Sequence, residues 1–373
     1  MFFKDIAGQQ PVKEHLIRMV KEGRVSHAQL FAGGEGVGSL GLAVAFARYL
    51  NCLQPGETDG CGSCSSCVKI SKLAHPDIHF VFPVIKEGSS PTVSDDKINE
   101  WRSFFLENHY FSAGQWFEYI SGGKKAGMIY ADESPVILRK LSLKNFEGRY
   151  KIMIIWLPER MNDTGANKLL KILEEPPQNT VFLLVSENPG GLLATILSRT
   201  QQISIPPIDT DSLTIALSSR FNVSEAEARV ASRLARGNYV QAVVNLDMSK
   251  DNSGFFDLFT ALMRSTYSRK IFEIVKWVDA AAPLSRDKMK SFFDYATGML
   301  RESYMYNFRQ PELVYLTPPE EEFVKKFAAF INENNIEKMV GELQVAYAHI
   351  EQNGNARIVL FDMAIKLVTL FKS

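Results

Sequence analysis

Long apolar runs are missing from this chain: no stretch of 18 apolar residues occurs, so no segment reads as a membrane span. Net charge is missing too. Lys plus Arg and Asp plus Glu are both 42 in 373 residues, and each half of the chain is balanced as well. A strongly basic stand-alone nucleic-acid binder is thereby disfavoured, and any DNA contact has to come from a local patch or from partner chains. The start, Met1-Phe2-Phe3-Lys4-Asp5, is charged too early for a secretory apolar region, so the expected compartment is the cytoplasm. Disorder is excluded by composition, which is 46% hydrophobic and 23% charged. The length suggests two or three domains.

Cysteine is scarce and concentrated. All four, Cys52, Cys61, Cys64 and Cys67, follow the spacing C-x8-C-x2-C-x2-C. A disulfide scaffold would spread its cysteines through a secreted chain. Two-residue spacers instead bring paired thiolates to one ion, which points to a closed, structural Zn2+ site with no catalytic position. Gly56, Gly60 and Gly62 permit the tight path. The alternative is four free thiols in a loop. His75 is a possible substitute ligand, but it reads better as a turn residue before Pro76.

Apolar spacing predicts a helix over 10–22 and strands at 28–32, 78–84, 152–156, 181–185 and 202–205. Helices are expected at 40–50 and 166–175, the second stopped by Pro176-Pro177. Strands alternating with helices imply an α/β domain with a parallel sheet covered on both faces. After Pro206-Pro207 the pattern becomes almost wholly helical. The expected domains are 1–206 (α/β, with the cysteine module at 52–67), 207–250 (a small helical unit) and 251–373 (helical), with Asp251-Asn252-Ser253-Gly254 as a linker. Residues 86–134 interrupt the α/β pattern with Gly88-Ser89-Ser90-Pro91 and then a cluster of aromatics: Trp101, Phe104, Phe105, Tyr110, Phe111, Trp116, Phe117 and Tyr119. These read as an inserted element packed on the core. Base stacking is the alternative, weakened by the few basic residues among them.

The segment Gly33-Gly34-Glu35-Gly36-Val37-Gly38 lies between a strand and a helix, the setting of a phosphate-binding loop. A working loop reads G-x-x-x-x-G-K-[ST], with Lys on the phosphates and a hydroxyl on Mg2+. Here Gly33 and Gly38 keep the spacing, but Ser39 and Leu40 stand at the Lys and Ser/Thr positions. After the strand at 152–156, where such ATPases carry Asp-Glu, the chain has Leu157 and Pro158, with Glu159 displaced by one residue. Two independent losses argue that Gly33, Gly36, Gly38 and Ser39 form a vestigial cradle without ATP hydrolysis.

Further segments carry a resemblance: Gly8-Gln9-Gln10; His27 to Phe31; the four-cysteine module followed by His75-Pro76-Asp77; Glu159-Arg160-Met161-Asn162; Ala166 through Pro177 (ANKLLKILEEPP); and Thr195-Ile196-Leu197-Ser198-Arg199-Thr200. The chain resembles the clamp-loader subunits of bacterial DNA polymerase III, an AAA+ family, and among them the delta-prime kind. That resemblance implies an AAA+ domain, a helical lid and a helical collar that oligomerises. It implies a hetero-oligomeric ring with gamma/tau motor subunits and a delta subunit, acting on a sliding clamp and primer–template DNA. Arg199 matches the S-R-C motif whose arginine reaches a neighbour's ATP site, with Ser198 supporting it and Thr200 in place of Cys. The motor subunits' lid arginine is replaced by Val240. Two alternatives remain: an active gamma/tau-like ATPase motor, and a zinc-dependent nucleic-acid-binding protein.

Overall fold

The computed structural model describes all residues except 87–91, 123–125, 310–313, 315, 353, 372 and 373. The expected Gly88–Pro91 break therefore lies outside the described residues. The chain forms two compact units, Met1–Val243 and Val244–Ser373.

The first unit is built on five parallel strands: β1 (Ala28–Ala32), β2 (Ile78–Val81), β3 (Lys151–Trp156), β4 (Thr180–Ser186) and β5 (Gln201–Ser204). Their order is β2-β3-β4-β1-β5. In β1, β3 and β4 every residue is buried, because these central strands have helices on both faces and need apolar side chains on both. β5 lies at an edge and exposes Gln201, Gln202 and Ser204. The pairing of Leu30 with Leu184 and of Ile154 with Leu183 sets the register.

Helices α1 (Gln10–Lys21), α2 (Ser39–Asn51) and α3 (Ser65–Ser71) precede β2; α4 (Ile98–Glu107), α5 (Ala113–Ser121) and α6 (Glu133–Ser142) lie between β2 and β3. Then come α7 (Asp163–Glu174), the single turn α8 (Ala194–Leu197), α9 (Thr210–Phe221) and α10 (Glu225–Ala235). α2 is buried along its whole length. α7 is capped by Asn162, whose Oδ1 accepts from Gly165 N at 2.9 Å, and ends before Pro176. The 78–84 strand is shorter than expected, since only an isolated antiparallel bridge, Val84 to Met128, continues it.

The aromatic insertion is core. Trp101 and Trp116 are fully buried, Trp101 stacks on Phe82 at 4.2 Å, and Trp116 Nε1 donates to Pro83 O. Tyr119 alone of the eight is half exposed.

The 30-residue helix α11 (Tyr239–Ser268) runs through the linker expected at 251–254. Asp, Asn, Ser and one Gly each cost a helix only about 1 kcal/mol or less, too little to break it between apolar segments such as Tyr239–Val244 and Phe255–Met263. The second unit continues with α12 (Ile271–Ala281), α13 (Arg286–Tyr306), α14 (Pro318–Phe327), α15 (Ile336–Glu351) and α16 (Ala356–Leu370). α13 packs on α15, and α16 on both α15 and α12. Phe259, Phe292, Leu343 and Leu367 are among its buried core residues. Among the described residues, no helix is long and apolar enough to cross a membrane.

Candidate nucleotide pocket and metal centre

In an open parallel sheet, ligands sit beyond the carboxyl ends of the strands. Here that place is bounded by Gly33 after β1, Leu157 after β3 and Glu187 after β4. Gly36 and Gly38 have φ of +72° and +91°, so the loop needs glycine at both. A Cβ on Gly36 would lie 1.9 Å from Asn238 Oδ1, and Gly36 O accepts from Tyr239 N at 3.0 Å. Gln9 holds the loop from the other side: its Nε2 donates to Val37 O at 3.1 Å and to Pro206 O at 2.6 Å. The cradle is thus a well-tied turn.

It is also full. The cavity over Gly34, Gly36, Gly38 and Ser39 measures about 30 Å³, and His109, Tyr110 and Phe111 from the insertion line it together with Trp156 and Glu187. Ligand pockets run to about 300–1,000 Å³, so this space suits a water rather than a nucleotide. Tyr110 stacks on Tyr239 at 4.1 Å, and its hydroxyl accepts from Ala7 N at 2.8 Å. A Cβ on Gly38 would approach Tyr110 Cε1 to 3.2 Å. Phe111 packs edge-on against Trp156.

The polar groups here suit neither metal nor phosphate. Ser39 is buried, and its Oγ has no hydrogen-bond partner. Leu157 and Pro158 are buried and carry no ligand atoms. Glu159 is tied to the chain after β4: its Oε1 accepts from the backbone N–H of Glu187 at 2.8 Å and of Asn188 at 3.0 Å, while its Oε2 is buried without a hydrogen-bond partner. Burial, reinforced by the negative charges of Glu35 and Glu159, pushes Glu187 up to about 7. Burial also lowers His109 and raises Tyr110. The negative charges of Glu35 and Glu159 oppose a triphosphate electrostatically, and Glu187, held partly protonated near neutrality, adds a smaller share.

Arg199 follows α8 and is about one-third exposed. Its Nη2 pairs with Glu174 Oε1 at 2.5 Å, and its Nη1 donates to Thr195 O at 3.0 Å. Ser198 is exposed, and its Oγ lies 3.4 Å from Arg199 Nη1. The Leu-Glu-Glu-Pro-Pro segment and the Ser-Arg-Thr segment, far apart in sequence, are therefore joined through Glu174 and Arg199.

The four cysteines come together: one Sγ from each lies within 4.8 Å of the others. Zn–S bonds of about 2.3 Å in a tetrahedron set sulfurs about 3.8 Å apart, so this donor set fits a metal ion with little adjustment. The backbone N–H of Cys61 donates to Cys52 Sγ, that of Cys64 to Cys61 Sγ and that of Cys67 to Cys64 Sγ. Backbone donors, those of Cys64 and Ser63 foremost, hold the Cys61 thiol down at about 6, while burial pushes Cys52 and Cys67 up. Gly62, at φ +78°, makes the turn. His75 is not part of the cluster: its Nδ1 accepts from Asp77 N, and its Nε2 faces Glu147 at 3.4 Å. Asp77 in turn accepts from the backbone N–H of Phe146, Glu147 and Gly148, pinning that loop.

Three residues with a clear place in the site carried no sequence signal of it. Tyr110 was one aromatic among eight. Glu187 follows an ordinary buried strand. Gln9 stands out only in the Gly-Gln-Gln segment.

A family model described as DNA polymerase III, delta subunit, matches residues 8–209, more than half of the chain. The delta' subunit of Bacillus subtilis DNA polymerase III is 30% identical over 242 residues, 65% of this chain and 60% of that protein. The Escherichia coli delta' subunit is 28% identical over 231 residues, 61% of this chain and 57% of that protein. The gamma/tau subunit of Mycobacterium tuberculosis is 29% identical over 198 residues, covering 53% of this chain and 27% of that protein. The chain thus spans about 60% of the length of the delta' relatives it matches. It belongs to the DNA polymerase III delta-subunit family.

Proposed function

We propose that this chain is a non-hydrolysing clamp-loader subunit of the delta-prime type. It assembles in a ring with gamma/tau motor subunits and a delta subunit, and the ring loads a sliding clamp onto primed DNA. The single observation that carries this reading is the filled cradle: about 30 Å³ remains over the glycine loop, behind Tyr110, with Ser39 and Leu40 where phosphate and Mg2+ contacts belong. The same observation disfavours the active-motor reading, and the even charge disfavours the independent nucleic-acid binder.

In this reading Arg199 is supplied in trans. It is partly exposed at the end of a short helix, and a surface carboxylate, not a buried one, holds it. An exposed pair of this kind is worth at most about 1 kcal/mol, so a neighbour's triphosphate can draw the guanidinium away from Glu174. A guanidinium set against the transferred phosphoryl group in a dry interface stabilises its charge. Ser198 keeps the arginine near the helix end. The four cysteines hold Zn2+, which supplies a structural crosslink between the end of α2 and the start of α3.

The test is reconstitution with gamma/tau and delta subunits. Arg199→Ala leaves assembly intact and slows hydrolysis at the adjoining motor site by about 10³-fold or more. Unchanged hydrolysis there removes the trans assignment. One zinc per chain by elemental analysis, lost in a Cys61→Ser/Cys64→Ser variant, tests the metal reading.

A further inference from the structure

Beside the cysteine cluster sits a buried cation that makes no direct ion pair among the described residues. Arg48, near the end of α2, is fully buried. Its Nη2 donates to Ser71 Oγ at 3.0 Å, while Nε and Nη1 have no hydrogen-bond partner. No carboxylate among the described residues lies within ion-pair distance of it. The Phe2 ring covers one face of the guanidinium, its centroid 3.9 Å from Cζ. The stem runs so close to the cysteine loop that a Cβ on Gly60 would fall 3.1 Å from Arg48 Cγ and 3.5 Å from Cys67 Sγ. Ser71 Oγ, which receives the Arg48 bond, donates to Cys67 O.

A buried guanidinium missing two of its bonding partners is costly unless an anion stands near it. Besides the carboxylates of Asp59 and Asp5, which stand beyond ion-pair distance and accept from the backbone N–H groups of Gly60, Lys4 and Phe2, the acidic groups around it are Cys67 and Cys52, the two buried members of the cluster. As neutral thiols they offer no countercharge. As four thiolates around Zn2+ they carry a formal charge of two minus, half-buried and itself in need of a cation.

We infer that Arg48 is the electrostatic counter-group of the cysteine metal centre. The inference rests on the Zn2+ reading above. Arg48 does not ligate the ion. It is a positioning residue, fixed by Phe2 and Ser71, that neutralises part of the thiolate charge and so sets the affinity for metal. Loading and packing are then coupled: the ion relieves the unpaired cation, and the cation strengthens the site. The metal centre thereby stabilises α2, the helix that follows the glycine loop, as well as its own loop.

The experiment compares the full-length wild-type chain with R48M and R48K, titrated with Zn2+ against a chromophoric chelator, and follows thermal unfolding of metal-loaded and metal-stripped protein. Outer partners of metal sites are worth about 10–100-fold in affinity, and R48M is expected to weaken Zn2+ binding by that factor. R48K, which returns a cation on a similar stem, recovers part of the loss. The signs of the stability changes are opposite: metal-stripped R48M melts higher than stripped wild type, because a buried unpaired charge is gone, while loaded R48M melts lower. A merely structural role would lower both. Affinity within twofold of wild type, or equal destabilisation of both forms, overturns the inference. If R48M does not fold, R48Q makes the same comparison with the charge removed and polarity kept. Wild-type protein that takes up no zinc at all refutes the metal reading instead, so the two failures are distinguishable.

Discussion

Replacing Tyr110 by alanine opens the cradle and removes several interactions at once. The ring stacks on Tyr239 at 4.1 Å, lies against Gly38, and its hydroxyl accepts from Ala7 N at 2.8 Å. Loss of the hydrogen bond costs about 1 kcal/mol, and the stacked pair about 0.5–1.5 kcal/mol beyond burial. With the lost apolar contact, the sum for Tyr110→Ala is about 3 kcal/mol, at the low end for removal of an aromatic side chain. Tyr110→Phe keeps the ring and loses only the acceptor for Ala7 N, and is expected to cost about 1 kcal/mol. For a unit of this size, 1 kcal/mol corresponds to about 2–4 °C, so the alanine variant melts about 6–12 °C below wild type and the phenylalanine variant about 2–4 °C below. Three of the four tryptophans, Trp101, Trp116 and Trp156, lie in the first unit and Trp277 in the second, so urea unfolding followed by tryptophan fluorescence in a Trp277→Phe background reports on the first unit. Equal stability of the two variants, or an alanine variant within about 0.5 kcal/mol of wild type, would refute the claim that this ring is a built part of the cradle.

Gly36→Ala is expected to destabilise the first unit by about 2 kcal/mol or more, since φ is +72° and the new Cβ would strike Asn238; chemical denaturation measures it. Glu187 is a carboxyl whose folded value is raised, so ionising it works against the fold: stability falls as pH rises from about 4.5 to about 7 and stays lower above. Glu187→Gln removes that slope and leaves the protein up to about 3 kcal/mol more stable than wild type at pH 8, and no gain at pH 8 over pH 5 contradicts the buried assignment. Asp77→Ala leaves three backbone N–H groups without their acceptor, and a loss of about 2 kcal/mol is expected. Asp77 itself is held below its ordinary value, so its contribution is present near neutrality and fades as pH falls through the acid range; urea midpoints at pH 7 and pH 3 show whether the variant and wild type converge.

Much of the fold was legible because its logic is local. Ile152–Trp156 and Val181–Val185 read as central strands from unbroken apolar runs, and both are buried throughout. Pro176 marks the end of α7 because proline cannot continue a helix beyond it. The cysteines announced their meeting by spacing alone, and the aromatic cluster read correctly as packed core. What stayed hidden depends on contacts between distant segments. Nothing in the run His109-Tyr110-Phe111 says that it covers a loop some 70 residues earlier, because the insertion has no pattern that fixes where its turn lands. The pair Arg199 and Glu174 was invisible for the same reason. The helix through 251–254 misled in the opposite direction, since turn-forming residues are weak evidence when apolar helix flanks them. Arg48 looked like an ordinary polar residue of an apolar helix, and only its complete burial reveals a charge in need of a partner.

Binding of Mg2+–ATP to the purified chain, followed by calorimetry with a motor subunit as positive control, bears most directly on the filled cradle. The account predicts no saturable heat at micromolar nucleotide and no phosphate release by this chain alone. Stoichiometric micromolar binding, with turnover abolished by altering Gly33 or Gly38, would contradict it.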